Sequence, residues 1–403
     1  MGQGGGGVHI RVTVDRADGV YRAGEEVRFG LESRGDISNQ GSLTYRLSWN
    51  GETKIERSEV PGLPREITYR PGEPGFLKLS IHDSAKGEPL SQAAAAVSPE
   101  KIAPSMPVPE DFDDFWRDQL AKDLPDRMRA GIVKHSRHRE GTIFRTSISM
   151  PRVGDVYGWI LKPLGEGPFP CVVRYHGAGV YPVPPENGLD LASRGFMVLS
   201  INSHSITNER PLAYYEELER GALADYRTRG REDRQKVYFR GMFLRAAGAV
   251  AFMRDYPDCD PEHLMIEGHS QGGGQALAGA ALGGDIDGLV VSCPTHCDHT
   301  GPVIGRVAGW PKIVNVRDGV PDPREVEAAR YIDGVNFASM IDCPTLFSVG
   351  FLDDTCPPTG VYAAYNSLAG PKEINNEVTA GHLHTERFKQ ATYRWQEGRI
   401  GVA

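Results

Sequence analysis

The feature that most constrains this chain is a rhythm that begins near residue 130. From there to the C-terminus, short apolar runs alternate with amphipathic stretches. "FPCVVRYHG", "FMVLSIN", "LMIEG", "IDGLVVSCP", "CPTLFSVGFLDD" and "EINNEVTAGH" read as strands. Between them, "LDLASRG", "QKVYFRGMFLRAAGAVAFMRDYP", "GGQALAGAALG", "GVYAAYNSLAG" and "TERFKQATYRWQE" carry helical spacing. Apolar runs of this length are buried on both faces, so the pattern predicts a mostly parallel sheet covered by helices on each side. "FRTSISM" and "VYGWILKP" lead into it as an antiparallel pair. A polar segment, residues 203–236, interrupts the rhythm. Its Tyr214, Tyr215 and Tyr226 suit either a lid or sugar-stacking wall, or a helical excursion with aromatics in a local core.

Residues 8–97 follow a different grammar. "VHIRVTVD", "EVRFGLES", "LTYRLSWNGE" and "FLKLSIHD" alternate apolar and polar positions, with turns at Asn50-Gly51 and at Pro-Gly breaks. Strict alternation means half-buried antiparallel strands. A region of about 90 residues with this pattern predicts a small immunoglobulin-like β-sandwich. The proline-rich stretch over residues 98–110 reads as a linker. Residues 111–403 form the second domain, opened by a helix in "DFDDFWRDQLAKDL" with acidic residues in its first turn.

Charge and composition exclude several functions. The net charge of -8 and the lack of a basic block argue against a nucleic-acid partner. No apolar run approaches the roughly 18 residues of a membrane helix. The opening "MGQGGGG" has no apolar core of a secretory signal and reads as a flexible leader, residues 1–7. A secreted or periplasmic location with the signal removed and a cytoplasmic one both fit it. Six cysteines, most beside apolar segments, read as buried thiols rather than a disulfide scaffold.

Chemistry on such a sheet sits at the carboxyl ends of the strands. "LMIEGHSQGGGQ" puts Ser270 on a tight turn between strand and helix, with Gly268 and Gly272 around it. "LFSVGFLDD" ends a strand at Asp353-Asp354, and "VTAGHLH" ends another at His382. The order Ser, Asp, His is that of the α/β-hydrolase triad. Ser270 would be the nucleophile, His382 its base, and Asp353 or Asp354 the carboxylate that orients the imidazole. An oxyanion needs two fixed donors. These are expected from the N–H of Gln271 and from the "HGAG" loop, at the N–H of Ala178.

These segments resemble the acetyl xylan esterase / cephalosporin C deacetylase family, carbohydrate esterase family 7. The resemblance runs over residues 104–403 and rests on "MPVPEDFDDFWRDQL", "TRGREDRQKVYFRGMFLRAAGAV", "GHSQGGG" and, most specifically, "GFLDDTCPPTGVYAAYNSLAGPKE". It implies an α/β-hydrolase fold, a cofactor-free serine esterase and an acetylated carbohydrate or oligosaccharide as substrate. It places the catalytic aspartate on Asp353 and the histidine on His382. It also implies a homo-oligomer, which the added β-sandwich could alter. The sequence departs from the family at three places. The usual Arg-Gly-Gln after "FMVLSIN" is replaced by "SHSITN", the usual His-Glu is His382-Leu383, and the usual tyrosine of the oxyanion loop is Ala178.

His176, Gly177, Pro294 and His296 are expected around the substrate pocket. "CPTHCDH" gathers Cys293, His296, Cys297 and His299, but the spacing lacks a second distant ligand pair and is read as a pocket wall, not a metal site. His384 in "GHLHTE" is read as a pocket or surface histidine. The alternatives to a carbohydrate deacetylase are an esterase for another acyl or methyl ester, and an inactive hydrolase fold that binds carbohydrate. A dipeptidyl-peptidase architecture is disfavoured because the N-terminal region is too short for a propeller.

Overall fold

The computed structural model describes residues 9–34, 43–51, 53–60, 64–83, 88–125 and 127–401. The leader expected over residues 1–7 lies outside them.

Among the described residues, the N-terminal region contains β1 (His9–Val14), β2 (Val20–Tyr21), β3 (Val27–Arg34), β4 (Leu43–Trp49), β5 (Thr53–Val60), β6 (Glu66–Tyr69), β7 (Gly75–Asp83) and β8 (Pro89–Val97). They form two sheets, β1-β3-β6 and β2-β8-β7-β4-β5. The alternating residues meet between the sheets, where Val12, Phe29, Leu31, Leu47 and Leu79 share one core. The opposite face of β7 and β8 is solvated only toward Lys78, His82 and Gln92. Phe76, Ala94 and Ala96 join the core of the following domain instead. The Phe76 ring lies 5.1 Å from Phe351 and 5.7 Å from Tyr362. The expected linker is also packed down. Asn366 donates to the Pro99 and Ile102 carbonyls at 2.8 and 2.9 Å, and the Ser105 N–H donates to Asp298 at 2.8 Å.

After α1 (Phe112–Asp123) come β9 (Ala130–Arg137), β10 (Gly141–Ile148), β11 (Val156–Pro163), β12 (Phe169–Tyr175), α2 (Leu189–Ala192), β13 (Met197–Ile201), α3 (Leu212–Arg220), α4 (Tyr238–Arg254), β14 (Cys259–His269), α5 (Gln271–Leu282) and β15 (Gly288–Ser292). The small hairpin β16 (Val316–Arg317) and β17 (Val320–Pro321) precedes α6 (Pro323–Ala329) and α7 (Gly334–Ala338). The chain closes with β18 (Thr345–Gly350), α8 (Pro358–Ser367), β19 (Lys372–Glu377) and α9 (Glu386–Arg399).

One sheet runs β19-β18-β15-β14-β12-β13-β11-β10-β9. It is parallel from β13 to β19 and antiparallel from β9 through β11 to β13. Successive residues of a central strand enter different cores. Cys171, Val173 and Tyr175 pack on the α4 and α5 side, and Val172 packs with Leu191 of α2 and Tyr393 of α9. This two-sided burial is why these strands read as continuous apolar runs. From β12 the chain adds β13 on one side and β14 on the other. A reversal of this kind opens a crevice at the strand ends. In the polar segment, Tyr215 and Tyr226 are buried and Tyr214 is packed against the core, so the aromatics belong to a local core and not to an open wall. No helix among the described residues is long and apolar enough to cross a membrane.

Candidate active site

Ser270 stands at the crevice, between the end of β14 and the start of α5. Its backbone has φ 58 and ψ -123, a region a side chain enters only when its surroundings enforce it. Here its N–H donates to the Ser292 carbonyl at 2.9 Å, and its carbonyl accepts from Thr295 and Gly274 at 3.0 and 3.1 Å. The glycines around it leave no room for a side chain. A Cβ on Gly272 would meet the Tyr175 carbonyl at 2.5 Å, and one on Gly268 would collide with the Gly272 backbone. The turn thus lifts the serine hydroxyl above the sheet.

Two other strand ends approach it. Asp353 follows β18 and His382 follows β19. The loop carrying His382 folds back over the sheet, with Leu352 N–H donating to the Ala380 carbonyl at 3.0 Å. His382 Nε2 lies 2.8 Å from Ser270 Oγ, and its Nδ1 lies 2.8 Å from Asp353 Oδ2. A carboxylate oxygen only accepts, so Nδ1 carries the proton and Nε2 is left to accept from the serine hydroxyl. The second oxygen of Asp353 accepts from the Thr355 and Cys356 N–H groups, each at 2.8 Å. Asp353 is buried, whereas Asp354 is exposed and pairs with Lys78 of β7. Of the two carboxylates left open by sequence spacing, it is Asp353 that faces His382, and Asp354 points to Lys78.

The imidazoles beside His382 carry little charge. His269, whose ring centroid is 5.1 Å from that of His382, is pushed down to about 4, first by burial and then by His382 and His384. Burial likewise lowers His384. Asp353, Cys356 and His382 are, among the described residues, the one group of His, Cys, Asp and Glu close enough to share a metal. Both oxygens of Asp353 and both nitrogens of His382 already have hydrogen-bond partners, so this group does not suit an ion.

Gln271 begins α5, so its N–H belongs to the unpaired first turn of a helix, and its side chain donates to the Gly177 carbonyl at 3.2 Å. Ala178 lies in the loop that this bond holds. His176 and Gly177 line a cleft of about 640 Å³ with Arg174, Glu267, His269 and His384, but Ser270, Asp353 and His382 are not among its lining residues, so it lies beside the triad and not over it. Pro294 and His296 are placed differently from the expectation. Pro294 is buried against Gly273. His296 is fully buried, its ring 4.3 Å from Phe239 and 5.5 Å from Trp310. Positive φ at Cys293, His296 and Asp298 turns this segment back into the core instead of along the crevice. Leu383, in place of the family's glutamate, has an exposed side chain and bonds through its backbone, its N–H donating to the Gly381 carbonyl at 2.9 Å and its carbonyl accepting from Cys293 Sγ at 3.8 Å.

Sequence reasoning missed Ser203, His204 and Tyr238, and left Tyr226 between two readings. His204 Nε2 lies 3.2 Å from the Gly179 carbonyl and its Nδ1 2.7 Å from Tyr238 Oη. The one signal for it was the loss of Arg-Gly-Gln at this strand end.

The acetyl xylan esterase (AXE1) family model matches residues 100–399. The chain is 29% identical over 409 residues to acetyl esterase Axe7A of Xylanibacter ruminicola, covering 96% of this chain and 89% of that protein. Coverage of that extent includes most of the β-sandwich. Among solved structures, the acetyl xylan esterase of Paenibacillus sp. R4 matches with a TM-score of 0.63 at 26% identity, over 74% of this chain and 98% of that one. Acetyl xylan esterase 1 of Thermoanaerobacterium sp. JW/SL YS485 matches with a TM-score of 0.61 at 23% identity, over 75% and 97%, a likeness of fold.

Proposed function

The chain belongs to the acetyl xylan esterase family, and from that premise we propose that it removes acetyl groups from an acetylated carbohydrate through a Ser270–His382–Asp353 triad. The observation that carries this reading is the hydrogen-bonded chain from Ser270 through His382 to Asp353, with both links at 2.8 Å. Ser270 Oγ attacks the acetyl carbonyl while His382 Nε2 takes the hydroxyl proton. Asp353 keeps Nδ1 protonated and stabilises the imidazolium that forms. The tetrahedral oxyanion is received by the N–H groups of Gln271 and Ala178. His382 then protonates the departing sugar oxygen, which leaves an acetyl group on Ser270. Water attacks that ester as His382 takes its proton, acetate leaves, and Ser270 regains its hydrogen.

The sandwich serves as a buttress in this reading. It presents Phe76 and Lys78 to Phe351 and Asp354, on either side of the Asp353 loop. The test is acetate release from acetylated xylo-oligosaccharides and hydrolysis of nitrophenyl acetate by the wild type and by Ser270→Ala. The wild type should release acetate and the variant should fall by about a millionfold or to background. Equal rates in the two proteins would overturn the triad, and rates that rise with acyl length would overturn acetyl selectivity.

A further inference from the structure

Four consecutive peptides of the loop after β12 are each held by a side chain from elsewhere in the chain. The His176 carbonyl accepts from Ser203 Oγ and from Gln275 Nε2, each at 2.9 Å. The Gly177 carbonyl accepts from Gln271 Nε2 at 3.2 Å. The Gly179 N–H donates to Tyr226 Oη at 3.3 Å, and the Gly179 carbonyl lies 3.2 Å from His204 Nε2. Tyr226 Oη in turn donates to Gln271 Oε1 at 3.4 Å, which joins the loop, the polar segment and the serine turn into one network.

The peptide that matters lies in the middle. The Gly177 carbonyl and the Ala178 N–H belong to one planar trans unit, in which oxygen and hydrogen point in opposite directions. Holding the oxygen therefore aims the N–H. The neighbouring holds at Gly179 stop that unit from rotating about its flanking bonds. The protonation state of the clamp also follows from its partners. A carbonyl accepts and cannot donate, so His204 Nε2 carries the proton, and Nδ1 accepts from the Tyr238 hydroxyl at 2.7 Å. Burial, with Arg245 nearby, pushes His204 down to about 3, so it stays neutral near pH 7. The Tyr226 ring stands edge-on to His204 at 4.8 Å and closes it off.

We propose that Ser203, His204 and Tyr226 are positioning residues for acyl transfer, which orient the Ala178 N–H as the second oxyanion donor. The proposal rests on the serine-esterase reading given above, with Ala178 as one of its oxyanion donors. Ser203 and His204 stand at the strand end where the resembled family carries Arg-Gly-Gln, so this chain's departure in sequence coincides with its hold on the loop. None of the three touches the substrate; each acts through the backbone of the loop.

The test compares His204→Ala, His204→Gln and Tyr226→Phe with the wild type. Each is assayed for kcat and KM on nitrophenyl acetate and for inhibition by a trifluoromethyl ketone, which adds to a serine as an oxyanion. In His204→Ala, kcat should fall about 10- to 100-fold, and the inhibitor should weaken in parallel. KM should stay within about threefold. His204→Gln, whose amide N–H can reach the Gly179 carbonyl, should recover part of both. Unchanged kcat and inhibitor affinity in a folded His204→Ala would overturn the proposal. So would a lower kcat with full inhibitor affinity, because the defect would then lie outside the oxyanion site. If His204→Ala does not fold, Tyr226→Phe carries the test by the same criteria, since it removes one hydroxyl and keeps the ring. Failure of the underlying reading shows separately, as equal rates for the wild type and Ser270→Ala.

Discussion

Asp353→Asn exchanges one oxygen for an NH2 group in a site where every polar atom has a partner. One oxygen of Asp353 accepts from Thr355 and Cys356 at 2.8 Å each, and the other faces His382 Nδ1 at 2.8 Å. An amide offers one acceptor and one donor group. The two backbone N–H groups demand the acceptor, so the NH2 must turn toward His382. The imidazole then accepts at Nδ1 and carries its proton on Nε2, where it presents a donor to Ser270 in place of an acceptor. The wrong tautomer of a triad histidine lowers kcat by about ten-thousandfold. At 1.36 kcal/mol per decade this is about 5 kcal/mol of lost transition-state stabilisation. The near-identical shape of Asn should leave the fold intact. Asp354→Asn is the control. It removes an exposed pair with Lys78, worth at most about 1 kcal/mol of stability, and should leave the rate within about twofold. The assay is initial rates on nitrophenyl acetate with circular dichroism of each variant. A folded Asp353→Asn that keeps a tenth of wild-type kcat, or an equal loss in Asp354→Asn, would refute the tautomer argument.

Two further outcomes follow from the packing and from the buried histidines. Phe76→Ala should cost about 3–5 kcal/mol by emptying a buried ring site against Phe351 and Tyr362, as measured by urea unfolding. It should also lower activity below the unfolding midpoint, because Phe351 lies two residues from Asp353; unchanged stability would refute the buttress. Burial lowers His176 and His269 to about 4, and His204 and His299 to about 3, so each stays neutral in the fold while its unfolded counterpart takes up a proton near pH 6.5. The unfolded state binds more protons in this window, so stability should fall as pH drops from about 6.5 toward 4, by up to about 1.4 kcal/mol per pH unit for each histidine. Asp333, raised to about 7 by burial and by Asp298, works the other way, since its contribution is present at low pH and is lost as pH rises through 7. A melting temperature that does not drop between pH 6.5 and 4 would contradict the histidine balance.

The sequence made the two-sided strands legible because burial on both faces leaves an unbroken apolar run. It hid elements whose environment breaks that rule. β8, "PLSQAAAAV", is buried on both faces through small alanines, and so it shows neither alternation nor bulk. β9 is an edge strand with nearly every side chain exposed, which leaves no apolar pattern at all. The meeting of Ser270, Asp353 and His382 was foreshadowed because each follows a strand of a sheet whose crevice lies at those strand ends. His296 was misplaced for the converse reason. It also follows a strand, but left-handed turns at Cys293 and His296 send it into the core, and those conformations leave no mark in residue type. The clamp of Ser203, His204 and Tyr226 works through backbone atoms of a loop far away in sequence, so no local spacing reveals it.

The central claim is that Ser270 carries the acetyl group between two half-reactions. Rapid acid quench of the enzyme with nitrophenyl acetate, followed by peptide mass spectrometry, tests it directly. One acetyl group is expected on the peptide containing Ser270, formed in a burst and lost as acetate is released. Turnover with no acetylated Ser270, or with the acetyl group on another residue, would contradict it.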